Sequence, residues 1–166
     1  VDPGAGGDFT GDDGHATGRC EPSSEWRFHA AIHAARPELN AVVHTHSVHA
    51  TALACQGLGI PAFHYMVAVA GGHDIRCSDY ATFGTQALAD NALAALRDRK
   101  ACLLAHHGVI ACGATLDAAL ALAVEVENLA RTYVIVRALG EPRLLDRAEM
   151  ERVLERFSTY GQARRA

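Results

Sequence analysis

The alternation of apolar and polar positions divides the chain into a plain front and a patterned remainder. Residues 1–22 hold six glycines and four aspartates with hardly any apolar periodicity. They read as an arm or remnant, not a domain. At Pro22-Ser23-Ser24-Glu25 the character changes, and either serine is placed to cap a helix over residues 25–36 that stops before Pro37. Ala41, Val42 and Val43 predict a short buried strand leading into His44-Thr45-His46. Ser47 then opens a short helix over residues 48–56, closed by Gly57. Residues 60–70 are apolar throughout, and their period does not separate a strand from a short buried helix. A helix beginning near Phe83-Gly84 turns Leu88, Ala92 and Leu96 inward. A strand over residues 101–105, the turn His106-His107-Gly108 and a further strand follow.

The longest predicted helix starts after Thr115 and places Ala119, Leu122, Val126, Leu129, Tyr133 and Val136 on one apolar face. Gly140 and Pro142 end it. A last helix has Asp146 and Glu149 in capping-box positions, with Met150, Val153, Leu154 and Phe157 inward and Gly161 as its stop. Strands interspersed with helices predict an α/β fold in which helices cover a sheet.

The chemistry gathers at His44-Thr45-His46. Residues two apart on a strand point to one face, roughly 7 Å apart along it, so both imidazoles aim into one space. Zinc takes nitrogen ligands at about 2 Å and suits such a pair, although two hydrogen-bonded histidines would share the spacing. A third ligand has to come from elsewhere, and the His106-His107-Gly108 turn is the best placed source. His29 and His33, one helical turn apart, read as a core or surface pair, and His49 as structural.

Composition narrows the field. The chain has 166 residues, 49% of them hydrophobic, enough for one domain with a proper core. A formal charge of -4 offers no general attraction to nucleic acid or acidic membranes. No apolar run approaches the roughly 20 residues of a membrane span, and no signal peptide is visible. Five cysteines without a CxxC do not make a disulfide framework, so a reducing cytoplasm is the expected location. Lys100 is the only lysine and opens a buried strand, a poor position for a Schiff base.

Six motifs, PSSEWRFH, AVVHTHSVHAT, IPAFHYM, DYATFGT, LLAHHGVIAC and FSTYG, occur in the order and spacing of the class II, zinc-dependent sugar-phosphate aldolases. From Pro22 to about Gly161 the chain resembles that aldolase/adducin family, nearest to its members that cleave fuculose phosphate. The resemblance implies a three-layer α/β/α fold with a mainly antiparallel central sheet. It also implies a cyclic homotetramer with active sites at subunit interfaces, and a small sugar phosphate as substrate. By the same resemblance His44, His46 and His107 are the zinc ligands, and Glu25 is the catalytic acid/base, able to ligate the empty metal. Ser23 and Ser24 bind the substrate phosphate. Tyr65 is supplied by the neighbouring subunit, and Tyr160 lies on a C-terminal tail that reaches the reaction. Read without the resemblance, Tyr65 would be a core tyrosine. His64 and His106 flank these positions as neighbours that orient them.

The implied reaction is reversible cleavage of a ketose 1-phosphate such as L-fuculose 1-phosphate to dihydroxyacetone phosphate and L-lactaldehyde. Breaking a carbon–carbon bond beside a carbonyl leaves an enediolate, which a metal can stabilise where no lysine serves. Glu25 can move a proton at carbon, and helix N–H groups with the two serine hydroxyls favour a phosphate. Three alternatives stay open: a pentulose-phosphate 4-epimerase, a sugar dehydratase, and an inactive adducin-like scaffold. The epimerases resemble the chain at the histidines but usually carry aspartate in the Pro-Ser-Ser motif. Family members begin with glycine-asparagine and serine/threonine-glycine phosphate loops that residues 1–22 do not match. The expected organisation is therefore an arm over 1–22 and an N-terminally truncated domain over 23–166.

Overall fold

The computed structural model describes residues 8–10, 15–17 and 23–159. Strand β1 (Asp8–Thr10) pairs antiparallel with β2 (His15–Thr17). This hairpin lies in the stretch where the apolar pattern predicted no regular element. Helix α1 (Trp26–Ala35) is followed by β3 (Ala41–Thr45) and α2 (Val48–Cys55). The ambiguous apolar run resolves into a bridge between Ile60 and Ile75 and a 3-10 helix, Tyr65–Ala70. Gly71 ends it in a left-handed conformation, φ 91°. Then come β4 (Arg76–Ser78), α3 (Gln86–Ala95), β5 (Ala101–Leu104), β6 (Gly108–Gly113), α4 (Leu116–Leu139) and α5 (Arg147–Thr159).

The main sheet has the order β3-β6-β5-β4. The β3–β6 and β5–β6 pairings are antiparallel, and the edge pairing β4–β5 is parallel. Side-chain alternation along its central strands sorts the core into two clusters. Ala101, Leu103, Val109 and Ala111 pack with α2, the 3-10 helix, α4 and α5. Cys102, Leu104, Ile110 and Cys112 pack with Phe28 and Ile32 of α1 and Leu88 and Ala92 of α3. Both strands are buried on both faces, which is why they read as continuous apolar runs. The result is helix layers on either side of a mixed, mainly antiparallel sheet, as expected.

Two caps differ from expectation. Glu25 stands at the N-cap of α1, and its side chain makes no cap bond. Ser23 instead accepts from the Glu25 N–H at 3.3 Å, in a turn before the helix. Ser47 likewise makes no side-chain cap bond at α2. Thr115 caps α4 through Ala118 N–H, and Asp146 accepts from Glu149 N–H at 2.7 Å, as expected. Among the described residues no helix is long and apolar enough to cross a membrane.

Candidate metal centre and active site

Three segments distant in sequence meet at one end of the sheet. The first is the turn into α1. Because Glu25 is not spent on capping, its carboxylate turns toward the strand ends. The second is β3, whose pairing sets His44 opposite Ile110 and Thr45 opposite Val109. That register turns His44 toward the α1 side, where the Phe28 ring packs edge-on against it at 5.3 Å. His46 follows just beyond the strand. The third is the β5–β6 turn, where His106 adopts φ 55° and His107 donates its backbone N–H to Leu104 O at 3.0 Å.

Gly108 makes the meeting possible. A Cβ there would stand 2.5 Å from Thr45 O, 2.8 Å from His46 Cδ2 and 3.3 Å from His44 Cε1. Only the bare glycine backbone lets the two histidine segments come this close.

One ligand atom each from Glu25, His44, His46 and His107 lies within 4.8 Å of the others. The His44 Nδ1–H donates to Val109 O at 3.0 Å, which leaves Nε2 as a bare acceptor aimed into the cluster. Yet this Nε2 stands 3.1 Å from Glu25 Oε2 and 3.0 Å from His46 Nε2. Glu25 Oε1 lies 2.9 Å from His107 Nε2, but the approach is not aligned as a hydrogen bond, and this buried oxygen has no partner. Burial pushes the His44 and His107 pKa values down, against the opposing pull of Glu25. Neutral rings with lone pairs facing a carboxylate repel one another unless a cation sits among them. The donor set, three imidazoles and one carboxylate, fits zinc.

The cluster opens into a cavity of ≈ 350 Å3, whose walls include Ser24, Tyr80, Phe83 and His106. Arg27 ties this wall together by donating to Gly84 O at 2.8 Å. Tyr80 and Phe83 are exposed, and the Tyr80 ring meets His106 edge-on at 5.8 Å. The structure thus brings Ser24, Glu25, His44, His46 and His107 together, with Ser23 one position before Ser24 and exposed. His106 joins the cavity wall. His64 does not: its Nδ1 accepts from Met66 N–H at the start of the 3-10 helix.

Tyr65 is elsewhere. It is 50% exposed and stacks on Phe157 of α5 at 6.4 Å, in a groove that shares no lining residue with the histidine cavity. Tyr160 lies outside the described residues. His29 is half-buried beside Phe28, and burial brings its pKa down to about 4, with the neighbouring His44 and His33 adding to the shift. The sequence reading missed Tyr80 as a wall residue and Gly108 as the glycine that admits the histidines. The Tyr80 signal was within reach in DYATFGT, where an aromatic stands in a polar loop.

The chain matches a family model, class II aldolase and adducin N-terminal domain, over residues 6–134. That match takes in most of the stretch the motifs left outside the resemblance. It is 60% identical over 153 residues to a 5-methylthioribulose-1-phosphate/5-deoxyribulose-1-phosphate aldolase of Rhodospirillum rubrum, covering 92% of this chain and 69% of the relative. It is 53% identical over 141 residues to an L-fuculose phosphate aldolase of Escherichia coli, covering 84% and 66%. A solved L-fuculose 1-phosphate aldolase superposes with a TM-score of 0.84 at 42% identity, covering 87% of this chain and 68% of that one. The chain thus spans about two thirds of the length of these relatives.

Proposed function

The chain belongs to the class II aldolase and adducin family, and from that premise we propose that it performs the zinc-dependent, reversible cleavage of a ketose 1-phosphate to dihydroxyacetone phosphate and an aldehyde. The observation that carries the reading is the bare His44 Nε2 held 3.1 Å from the Glu25 carboxylate. An adducin-like scaffold has no use for such a pair, whereas a metal enzyme needs it. Zinc held by His44, His46 and His107 would supply a Lewis acid for the substrate carbonyl and its neighbouring hydroxyl.

The chain's own groups do the rest. Glu25, whose carboxylate faces His44 and His107, takes and returns the proton at carbon. Val109 O holds the His44 ring in one tautomer and one orientation. Ser23 and Ser24 stand exposed at the start of α1, where helix N–H groups favour a phosphate. The exposed rings of Tyr80 and Phe83 give the cavity an apolar wall for the tail of the aldehyde. L-Fuculose 1-phosphate, yielding L-lactaldehyde, is the substrate the sequence motifs favour. The relatives' names extend the class to 5-deoxyribulose and 5-methylthioribulose 1-phosphates. All of these end in a methyl or methylthio group.

Tyr65 supports a composite site. Lining a separate groove in its own chain, it can serve the reaction only from a neighbouring copy. A homotetramer with head-to-tail contacts would give every site the same second wall. Cys55, Cys77, Cys102 and Cys112 are free thiols, which agrees with a cytoplasmic setting.

The test is release of dihydroxyacetone phosphate from a panel of L-fuculose, 5-deoxyribulose and 5-methylthioribulose 1-phosphates. At least one is cleaved, and chelation abolishes cleavage until zinc is returned. A fully zinc-loaded preparation that cleaves none would refute the reading.

A further inference from the structure

His44 and His46 are held by different means. His44 lies within β3, and its Nδ1 is fixed on Val109 O. His46 lies past the strand, is exposed, and among the described residues no carbonyl or carboxylate bonds its second nitrogen. A ligating histidine normally takes its orientation from such a bond. For His46 the backbone on either side has to supply it. On one side Thr45 is paired with Val109. On the other, Ser47 leads directly into α2.

The start of α2 is anchored from a distance. Glu127, in the middle of α4, places its carboxylate over the first turn of α2. Oε1 accepts the His49 backbone N–H at 2.9 Å and the His49 Nδ1–H at 2.7 Å. Oε2 accepts the Ala50 N–H at 3.0 Å. These are helix-end amides that a serine at the N-cap would ordinarily satisfy, and the Ser47 side chain makes no such bond. Burial alone would raise the Glu127 carboxyl, but the bonds from His49 and Ala50 hold it below the usual value. Charge-assisted bonds of this kind are about twice as strong as neutral ones.

We propose that Glu127 is a positioning residue for the metal centre, fixing the turn that presents His46 by clamping the first turn of α2 to α4. Glu127 touches neither metal nor substrate. It acts through three residues of backbone, from Ala50 and His49 back to His46. A helix cap alone would stabilise α2 and leave the metal indifferent, so the two roles predict different measurements. The inference rests on the zinc-centre reading above.

The experiment compares the full chain with Glu127→Ala, Glu127→Gln and His46→Ala. Thr115→Ala serves as a control that removes an equally ordinary cap from α4. Zinc affinity is read by competition with a chromophoric chelator, ligand geometry by the visible spectrum of the cobalt-substituted protein, and stability by melting of the metal-free chain. Glu127→Ala should weaken zinc about tenfold or more and shift the cobalt bands. Glu127→Gln keeps one carbonyl acceptor and should recover part of that loss. Thr115→Ala should lower the melting temperature with wild-type affinity and bands. Glu127 variants that melt lower but bind zinc with wild-type affinity and spectrum would overturn the inference alone. If Glu127→Ala does not fold, wild-type affinity and spectrum in Glu127→Gln have the same force. A wild-type chain with no more zinc affinity than His46→Ala would overturn the metal-centre reading itself, and this inference with it.

Discussion

Two of the cavities differ in kind. The one lined by His46 holds ≈ 350 Å3 and is built around ionisable donors from the start of α1, the end of β3 and the β5–β6 turn. The groove at Tyr65 holds ≈ 980 Å3 and is floored by Phe63, Met66, Val153 and Phe157, with Arg152 paired to Glu149 on its rim. The first has a full set of metal donors from a single chain. The second has aromatic surface but nothing that approaches the histidine cluster. On the proposed reading, the difference separates what one chain would do alone, hold the metal and move a proton, from what it would offer to a partner.

The sharpest break of that contrast removes the donors. A His46→Ala, His107→Ala double variant should lose zinc and all activity, while its melting without metal stays near that of the parent. Elemental analysis beside a melting curve checks this. Full zinc occupancy in the double variant would show the donors to be elsewhere.

Next in size is Gly108→Ala. The added methyl meets Thr45 O, a backbone atom that cannot swing aside. Overpacking of this sort costs about 1–3 kcal/mol. The β3–β6 pairing should loosen at its histidine end, lowering both stability and zinc affinity. Denaturant titration with and without zinc measures the two together, and a fall in stability without a fall in affinity would separate them.

The groove is tested by mixing. Tyr65→Phe and His46→Ala chains should each be nearly inactive, and hybrids assembled from both should regain part of the activity. No recovery, once subunit exchange is demonstrated, would place Tyr65 outside the reaction. The smallest effect is expected from Phe157→Ala. This half-buried ring packs on the core and stacks on Tyr65. Its loss should cost about 1–2 kcal/mol, less than the 3–5 of a fully buried phenylalanine, and leave zinc binding intact.

Much of this was legible in the residues, and what was not has physical causes. His44 and His46 stood out because strand alternation is a local signal; the glycine turn pointed only to the pair His106-His107, and the family resemblance chose His107. The faces of α3 and α4 followed from their periodicity, down to Leu88, Leu96 and Tyr133 in the core. Strand β4 did not: Arg76-Cys77-Ser78 has no apolar alternation and is a strand because β5 lends it a pairing edge. The 3-10 helix at Tyr65–Ala70 was ambiguous because an apolar stretch buried on several sides shows no period. The Ser47 cap failed for a longer-range reason, since a carboxylate about eighty positions away in the chain, Glu127, already holds the amides it would have taken. Glu25 was expected inside the helix. It stands at the N-cap, and its carboxylate faces His44 and His107.

The central claim is that Glu25 moves a proton at carbon beside a zinc held by the three histidines. Solvent-deuterium exchange into dihydroxyacetone phosphate, followed by NMR, tests it most directly when zinc-loaded wild-type and Glu25→Gln chains are compared at equal metal content. The account predicts stereospecific exchange by the wild type. It predicts a loss of about a hundredfold or more in the variant, which keeps its fold and much of its zinc. Exchange at near the wild-type rate in a zinc-loaded Glu25→Gln chain would contradict it.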